Sequence, residues 1–142
     1  MTPQQINLVR GSFALMQPAA RDAAALFFGH LFAADPSLRA LFKGDLALQG
    51  EKLMGMFGGA LGLLDKPAAL TPVLRALGVR HRAYGVRAAH YDTVGNALLK
   101  TLEEGLGDDL FTADVRRAWI TLYGMFTATM QESAREPMLA AA

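Results

Sequence analysis

The chain has 142 residues and a formal net charge of +1 at pH 7, with 14 Lys and Arg against 13 Asp and Glu. Acidic and basic residues are interspersed, which argues against a nucleic-acid-binding protein. Because cysteine is absent, disulfides, zinc fingers, iron–sulfur clusters and a thiol nucleophile are excluded. The composition is 52% hydrophobic and poor in β-branched runs, which predicts an all-α fold. The length predicts a single domain over residues 1–142.

Neither a membrane span nor a secretion signal is predicted. The longest apolar run, Leu53–Leu64, contains four glycines and is shorter than the roughly 20 residues that cross a bilayer. Gln4, Gln5 and Asn7 stand where a secretion signal would have a basic start and an apolar stretch. We therefore expect a cytoplasmic protein.

Two helices are predicted at the start of the chain. Thr2 and Pro3 are a helix cap followed by proline in the first helical position. Apolar residues then recur at helical spacing until Pro18 ends the segment. A second helix begins near Ala19 and is apolar on almost every side, which is typical of a buried helix.

The next signals predict a short helical turn followed by a long helix. Asp35 and Pro36 repeat the cap-plus-proline pattern and open a turn that ends at Phe42. Residues 43–45 are predicted to form a loop, and a long glycine-containing helix starts at about Leu46.

Three more helices complete the predicted chain. Thr71 and Pro72 are predicted to cap the helix that leads to His81. After a glycine turn, another helix covers about residues 88–105, and Thr112 caps the last one. Pro137 and the alanine tail that follows are expected to fray.

The count is seven or eight helices with short connections and no repeats. A four-helix bundle would satisfy the same composition and periodicity as a fold of crossed helices around a pocket. The choice between them therefore depends on the residues that would line a pocket.

Histidine is the most informative residue type for such a pocket. The chain has His30, His81 and His90, and a lone histidine in a helical protein is most often a core or surface residue. No two of them are four residues apart and there is no Glu-x-x-His motif, so a non-haem metal site is poorly supported. His81 differs from the others in its sequence context, because a predicted turn at Gly85 follows it and Tyr91 lies ten residues after it along the chain.

The segment from Arg75 to Leu98 resembles the proximal side of bacterial haemoglobins, both the single-domain Vitreoscilla type and the globin half of flavohaemoglobins. This resemblance implies a globin fold and haem b, iron protoporphyrin IX, as cofactor. It also implies His81 as the iron ligand, with Tyr91 and Val94 on the helix beside the haem. His90, adjacent to Tyr91, points about 100° away on that helix and is interpreted as a surface or partner-facing residue.

The same resemblance assigns the opposite side of the haem. It places Phe42 against the haem as a wedge, Gln49 at the distal gate and Leu53 one turn further in. Gln49 could donate a hydrogen bond to a bound ligand, or it could be an exposed residue at a helix start. Lys52 is a candidate partner for a haem propionate, or it is simply solvated.

Two positions depart from the family pattern. Phe28 stands where bacterial globins usually have a tyrosine, so this side of the pocket loses its stronger hydrogen-bond donor. Ala134 stands where flavohaemoglobin-type globins have a glutamate, and Glu132 lies roughly 200° away on the same helix. The carboxylate that strengthens a proximal histidine is thus not expected here.

The resemblance implies reversible binding of dioxygen, NO or CO at the haem, for oxygen storage, delivery or scavenging. The alternative is a nitric oxide dioxygenase, which needs electrons from a separate reductase because no dinucleotide-binding fingerprint is found; Gly58–Gly62 follows no strand. A haem-based sensor would need an output domain, and none is recognised in the sequence.

Overall fold

The computed structural model describes residues 1–136, and these form six α-helices and two short 3₁₀ helices without any strand. The α-helices are α1 (Pro3–Met16), α2 (Ala20–Ala34), α3 (Leu46–Leu61), α4 (Pro67–Ala83), α5 (Ala88–Leu106) and α6 (Ala113–Ala134). The 3₁₀ helices are Gln17–Ala19 and Pro36–Leu41. The all-α prediction is confirmed, with slightly fewer α-helices than the seven or eight expected. The expected fraying from Pro137 onward lies outside the described residues.

The helix starts that were predicted from capping residues are confirmed at three places. The Thr2 hydroxyl accepts the Gln5 N–H at 3.1 Å, and the Gln5 side chain accepts the Thr2 N–H at 3.0 Å. Asp35 caps the Pro36–Leu41 helix, and Thr112 caps α6. In each case a side-chain oxygen takes up an N–H group that has no partner within its helix.

The predicted start of α4 is wrong. The helix begins at Pro67, so Pro72 lies inside it rather than at its first position. An interior proline removes one backbone hydrogen bond and costs a few kcal/mol, roughly 3 in an isolated helix. Burial of one helix face offsets this cost, and that face begins upstream of Thr71; its buried leucines are Leu70, Leu74 and Leu77.

The helices pack as two groups that share α5. α4 lies mainly against α6, whereas α2 lies against both α5 and α3. The larger core surrounds Trp119, whose indole N–H donates to the Ser12 hydroxyl at 2.8 Å. None of the helices between residues 3 and 134 is long and apolar enough to cross a membrane.

Candidate functional site

His81 lies in the last turn of α4 and is held in one tautomer. Its Nδ1 lies 2.7 Å from the Leu77 carbonyl oxygen. Because a carbonyl only accepts, Nδ1 must carry the proton, and the lone pair of the neutral ring is then on Nε2. Nε2 has no hydrogen-bond partner among residues 1–136. This is the arrangement of an imidazole that is ready to bind a metal.

The surroundings of His81 also keep its imidazole neutral. Burial lowers the pKa of His81 below its ordinary value of 6.5, and the positive charge of Arg80 acts in the same direction. The hydrogen bond to Leu77 opposes these effects without reversing them. A neutral imidazole is the form that coordinates a metal.

Tyr91 of α5 lies beside His81, as expected for the residue that follows the glycine turn. The two ring centroids are 6.5 Å apart, with the planes inclined by 26°. The backbone of Tyr91 is fixed by Tyr123 of α6, whose hydroxyl donates to the Tyr91 carbonyl oxygen at 2.6 Å. Tyr123 packs directly on Gly95, where a Cβ atom would come within 2.6 Å of its ring. Burial raises the pKa of Tyr123, which keeps this hydroxyl protonated as a donor.

A close approach between α4 and α6 fixes the helix that carries His81. The hydroxyl of the buried Ser133 lies 2.8 Å from the Arg75 carbonyl oxygen and 2.9 Å from that of Met130. A Cβ atom on Gly78 would collide with the Met130 carbonyl and the Ser133 hydroxyl. Sequence analysis missed Ser133, Tyr123 and Gly78, because their partners are distant in the chain.

Four of the apolar residues that were assigned from the sequence come together in one group, which we call the aromatic cluster. Phe28, Phe32 and Phe42 form its centre, with the Phe28 and Phe42 ring centroids 5.2 Å apart in an edge-to-face arrangement. Leu53 and Val94 pack against them. The remaining members are Phe27, Leu31, Leu38, Leu41, Leu46, Ala97 and Leu98.

One face of α5 joins His81 to the aromatic cluster. Tyr91, Val94 and Leu98 are spaced by three and four residues and therefore share that face. Tyr91 contacts His81, whereas Val94 and Leu98 pack in the aromatic cluster. The imidazole and the apolar group thus lie along the same side of one helix.

The two polar residues predicted for the pocket, Gln49 and Lys52, both reach solvent. The Gln49 side chain is half-buried, and its amide donates to the Lys43 carbonyl oxygen at 3.0 Å. Lys52 is exposed, and no hydrogen bond or ion pair joins it to a described residue.

The surface assignment of His90 is wrong. Its side chain is buried, and Nδ1 accepts the Arg87 N–H at 3.0 Å, which caps the start of α5. It is buried because α5 has neighbours on several sides: α1, α2 and α6. His30 pairs with Glu104, with 3.0 Å between Nε2 and Oε1, although the contact lacks hydrogen-bond angles. Among residues 1–136, no three His, Asp or Glu side chains form a group that could hold a bare metal ion.

Comparison with known families decides between a globin and a helical bundle. The model of the Globin family matches residues 25–130, which is most of the chain. The chain belongs to the globin family.

This globin has relatives of at least two kinds. It is 28% identical over 126 residues to a flavohemoprotein of Vibrio cholerae, covering 87% of the chain but 32% of that protein. It is 30% identical over 140 residues to a neuroglobin of Dissostichus mawsoni, covering 89% of the chain and 87% of the neuroglobin. The globin thus spans about a third of the flavohemoprotein that it matches and most of the neuroglobin.

A solved structure has the same fold. It is an engineered carbene transferase, described as a putative nitric oxide dioxygenase of Rhodothermus marinus, and it superposes with a TM-score of 0.81 at 27% identity. The match covers 94% of this chain and 93% of the other.

The globin family is a family of haem proteins, and the side chains of this globin fit a haem. His81 offers one neutral nitrogen donor with a free lone pair. The aromatic cluster offers the apolar surface that a porphyrin requires. One nitrogen donor and an apolar wall suit a metal that brings its own macrocycle.

Proposed function

We propose that this globin holds haem b through Nε2 of His81 and reversibly binds dioxygen and other diatomic gases, among them NO and CO. The observation that carries the proposal is the fixed tautomer of His81, in which the Leu77 carbonyl occupies Nδ1 and leaves Nε2 free. When bound, the haem would supply the iron that takes up the gas. The residues around His81 then determine how firmly the imidazole is held and how dry the site is.

Tyr91 and the α4–α6 contact hold the imidazole in place. The Tyr91 ring lies beside the His81 ring, and the Leu77 hydrogen bond sets the orientation of the imidazole plane. No carboxylate of the described chain contacts Nδ1, so the acceptor is an uncharged carbonyl. An uncharged partner makes the imidazole a weaker electron donor than a carboxylate partner would, which favours reversible binding over oxidation chemistry.

Phe28, Phe42 and Leu53 are proposed to form the apolar wall on the gas side. Their packing would keep water away from a haem held at His81. Lys52 is placed by the resemblance near a haem propionate, and its exposed ammonium group is suited to such a pairing.

A bound gas receives little polar stabilisation in this proposal. Phe28 has no hydroxyl group, and the amide of Gln49 must leave the Lys43 carbonyl before it can donate to a ligand. We therefore expect rapid dioxygen dissociation, which suits delivery or short-term storage in the cytoplasm by a single globin domain, residues 1–142.

Absorption spectroscopy of the purified, haem-loaded protein tests this function. The dithionite-reduced protein should show one broad visible band that splits into two when dioxygen is added, and removal of dioxygen should restore the original spectrum over repeated cycles. Irreversible conversion to the ferric form in the first cycle would contradict reversible binding. Absence of a Soret band after reconstitution would contradict haem binding itself.

A nitric oxide dioxygenase that depends on a separate reductase is the alternative. It is supported by the similarity to a flavohemoprotein and to a structure described as a nitric oxide dioxygenase. An NO electrode distinguishes the two functions. Dioxygenase turnover requires many equivalents of NO to be consumed aerobically when a flavin reductase and NADH are supplied, whereas a simple gas binder consumes about one equivalent.

A further inference from the structure

One stretch of the chain departs from the general mixture of charges. Residues 66–91 contain five Lys and Arg residues, whereas all 13 acidic residues lie outside this stretch. It covers α4, the turn at residues 84–87 and the start of α5. These five basic residues are Lys66, Arg75, Arg80, Arg82 and Arg87.

Not all of this charge is available for a partner. Arg75 pairs with Glu136, and the Arg82 guanidinium donates to the Ala134 and Glu136 carbonyls. Arg87 is exposed and forms no ion pair with a described residue, and its charge is a minor cause, after the hydrogen bond from Ser37, that lowers the pKa of Asp35. Arg80 is exposed and has no partner among the described residues.

An exposed aromatic ring lies within this basic region and also contacts His81. Tyr84 is 61% exposed, the most exposed of the large hydrophobic side chains in the described chain. Its ring centroid lies 6.1 Å from that of His81. Arg80 lies in the last turn of α4, four residues before Tyr84 at the C-cap, so the two exposed side chains belong to the same end of the helix.

The turn that carries Tyr84 has a fixed backbone. The Tyr84 N–H donates to the Arg80 carbonyl at 3.0 Å, and the Val86 N–H donates to the His81 carbonyl, also at 3.0 Å. Gly85 adopts a φ of 94°, which favours glycine, and closes the turn. A fixed turn keeps Tyr84 against His81 while its other side faces solvent.

We propose that Arg80, Tyr84 and Arg87 form a docking surface for an acidic one-electron donor protein that reduces the ferric haem iron. This inference rests on the proposed function, because it requires haem bound at His81. Charge complementarity selects an acidic partner, and the exposed ring that touches the candidate iron ligand places that partner close to the metal. One electron passes from the reduced donor to ferric iron, giving oxidised donor and ferrous iron, and no bond is formed or broken.

The binding experiment uses the haem-loaded ferric globin with an acidic [2Fe–2S] ferredoxin as the probe. Amide shifts of the ¹⁵N-labelled globin should change mainly at residues 80–87. Affinity should fall on the order of tenfold when ionic strength rises from about 10 mM to 150 mM, as surface charges become screened. A basic cytochrome should not bind.

Charge reversal tests the surface against a matched control. The single variants Arg80→Glu and Arg87→Glu should each weaken ferredoxin binding by about fivefold. Arg116→Glu makes the same kind of charge change on the exposed side of α6, outside the proposed surface, and should change the affinity by less than about twofold.

The role of the ring is tested separately from binding. Tyr84→Leu should lower the rate of iron reduction within the saturated complex, separately from any effect on affinity, whereas Tyr84→Phe should retain the rate. Stopped-flow absorption at saturating reduced ferredoxin measures this rate. Equal rates in the wild type and Tyr84→Leu would remove Tyr84 from the proposal.

The docking proposal and the proposed function fail in different ways. A globin without a Soret band would contradict the proposed function before any docking is measured. A normal Soret band with ferredoxin binding that is absent, insensitive to salt, or weakened equally by Arg116→Glu would overturn the docking surface alone.

Discussion

The two sides of the candidate haem site are built by different kinds of interaction. On the histidine side, which is α4, α6 and the start of α5, specific hydrogen bonds and close backbone contacts set the position of His81. On the aromatic side, which is α2, the Pro36–Leu41 helix and α3, the rings of Phe28, Phe32 and Phe42 pack without any polar contact between them.

The difference indicates which substitutions each side can tolerate. A hydrogen bond is lost completely when its donor or acceptor atom is removed, and a close glycine contact is disrupted by one added methyl group. A group of apolar side chains instead tolerates replacement of one member by another apolar residue of similar volume. We therefore expect changes on the histidine side to affect haem retention and stability. Changes on the aromatic side should mainly alter gas binding.

Replacement of His81 should have the largest effect. His81→Ala removes the proposed iron ligand and should abolish stable haem incorporation, measured as Soret absorbance per mole of protein after reconstitution. His90→Ala is the matched control, because it removes the other histidine that is held by a backbone hydrogen bond on this side. It should retain haem, at a stability cost of about 1 kcal/mol for the lost helix cap. Loss of haem from the His90 variant would show that the wrong histidine has been assigned.

Gly78→Ala should produce the largest loss of stability in the folded protein. The added methyl group collides with the Met130 carbonyl and must push α4 away from α6. We expect the free energy of unfolding in guanidinium to fall by about 2 to 3 kcal/mol, together with faster haem loss.

Gly59→Ala is the control for this substitution. Gly59 lies in α3, and a Cβ atom added there would meet nothing within 4 Å, so the change should stabilise the helix by up to about 1 kcal/mol. A Gly78 variant as stable as the wild type would contradict the tight α4–α6 contact.

Phe28→Tyr should slow dioxygen dissociation by a change on the aromatic side. It adds a hydroxyl donor where the wall has none, and one hydrogen bond to a bound gas corresponds to roughly tenfold slower dioxygen dissociation in stopped-flow. Phe32→Tyr is the control, because it adds the same hydroxyl group to a neighbouring ring that is not assigned to the gas side. The Arg39 guanidinium lies over the Phe32 ring, 6.0 Å from its centroid. Equal rates in the wild type and Phe28→Tyr would mean that Phe28 does not face the gas.

Tyr123→Phe should have a smaller effect that is confined to the histidine side. It removes the hydrogen bond to the Tyr91 carbonyl and should lower the free energy of unfolding by about 1 kcal/mol. Tyr84→Phe removes an exposed hydroxyl and should be neutral within about 0.5 kcal/mol. Identical losses in the two variants would remove Tyr123 from the support of Tyr91.

The smallest predicted effect concerns pH on the aromatic side. The Ser37 side chain donates to Asp35 and is the main cause that lowers the pKa of this carboxyl group below 3.8. A carboxyl group whose pKa is lowered by folding stabilises the folded protein at pH values above its pKa in the unfolded chain. This stabilisation is lost as the pH falls through its pKa in the folded protein. Ser37→Ala should therefore raise the Asp35 pKa in an NMR titration. An unchanged pKa would contradict this cause.

Local chemistry explains what the sequence predicted correctly. The caps at Thr2, Asp35 and Thr112 depend on groups within three residues, so the pattern contains all the necessary information. The grouping of Phe28 with Phe42 came from the family resemblance, because neither residue is close to the other in the chain.

Tertiary packing explains the remainder. Pro72 looks like a helix start, and only the burial of Leu70 shows that α4 begins earlier. His90 looks exposed on an isolated helix, and only the neighbours of α5 reveal its burial. Ser133 and Gly78 lie on helices that are far apart in the chain, so no local pattern could indicate their contact.

The most direct test of the central claim is to leave His81 as the only histidine in the chain. The double variant His30→Gln/His90→Gln achieves this, since the sequence has three histidines. Resonance Raman spectra of its ferrous haem form should show an iron–histidine stretching band that shifts when ¹⁵N-histidine is incorporated. Loss of that band in a correctly folded variant, or a band without an isotope shift, would contradict His81 as the iron ligand.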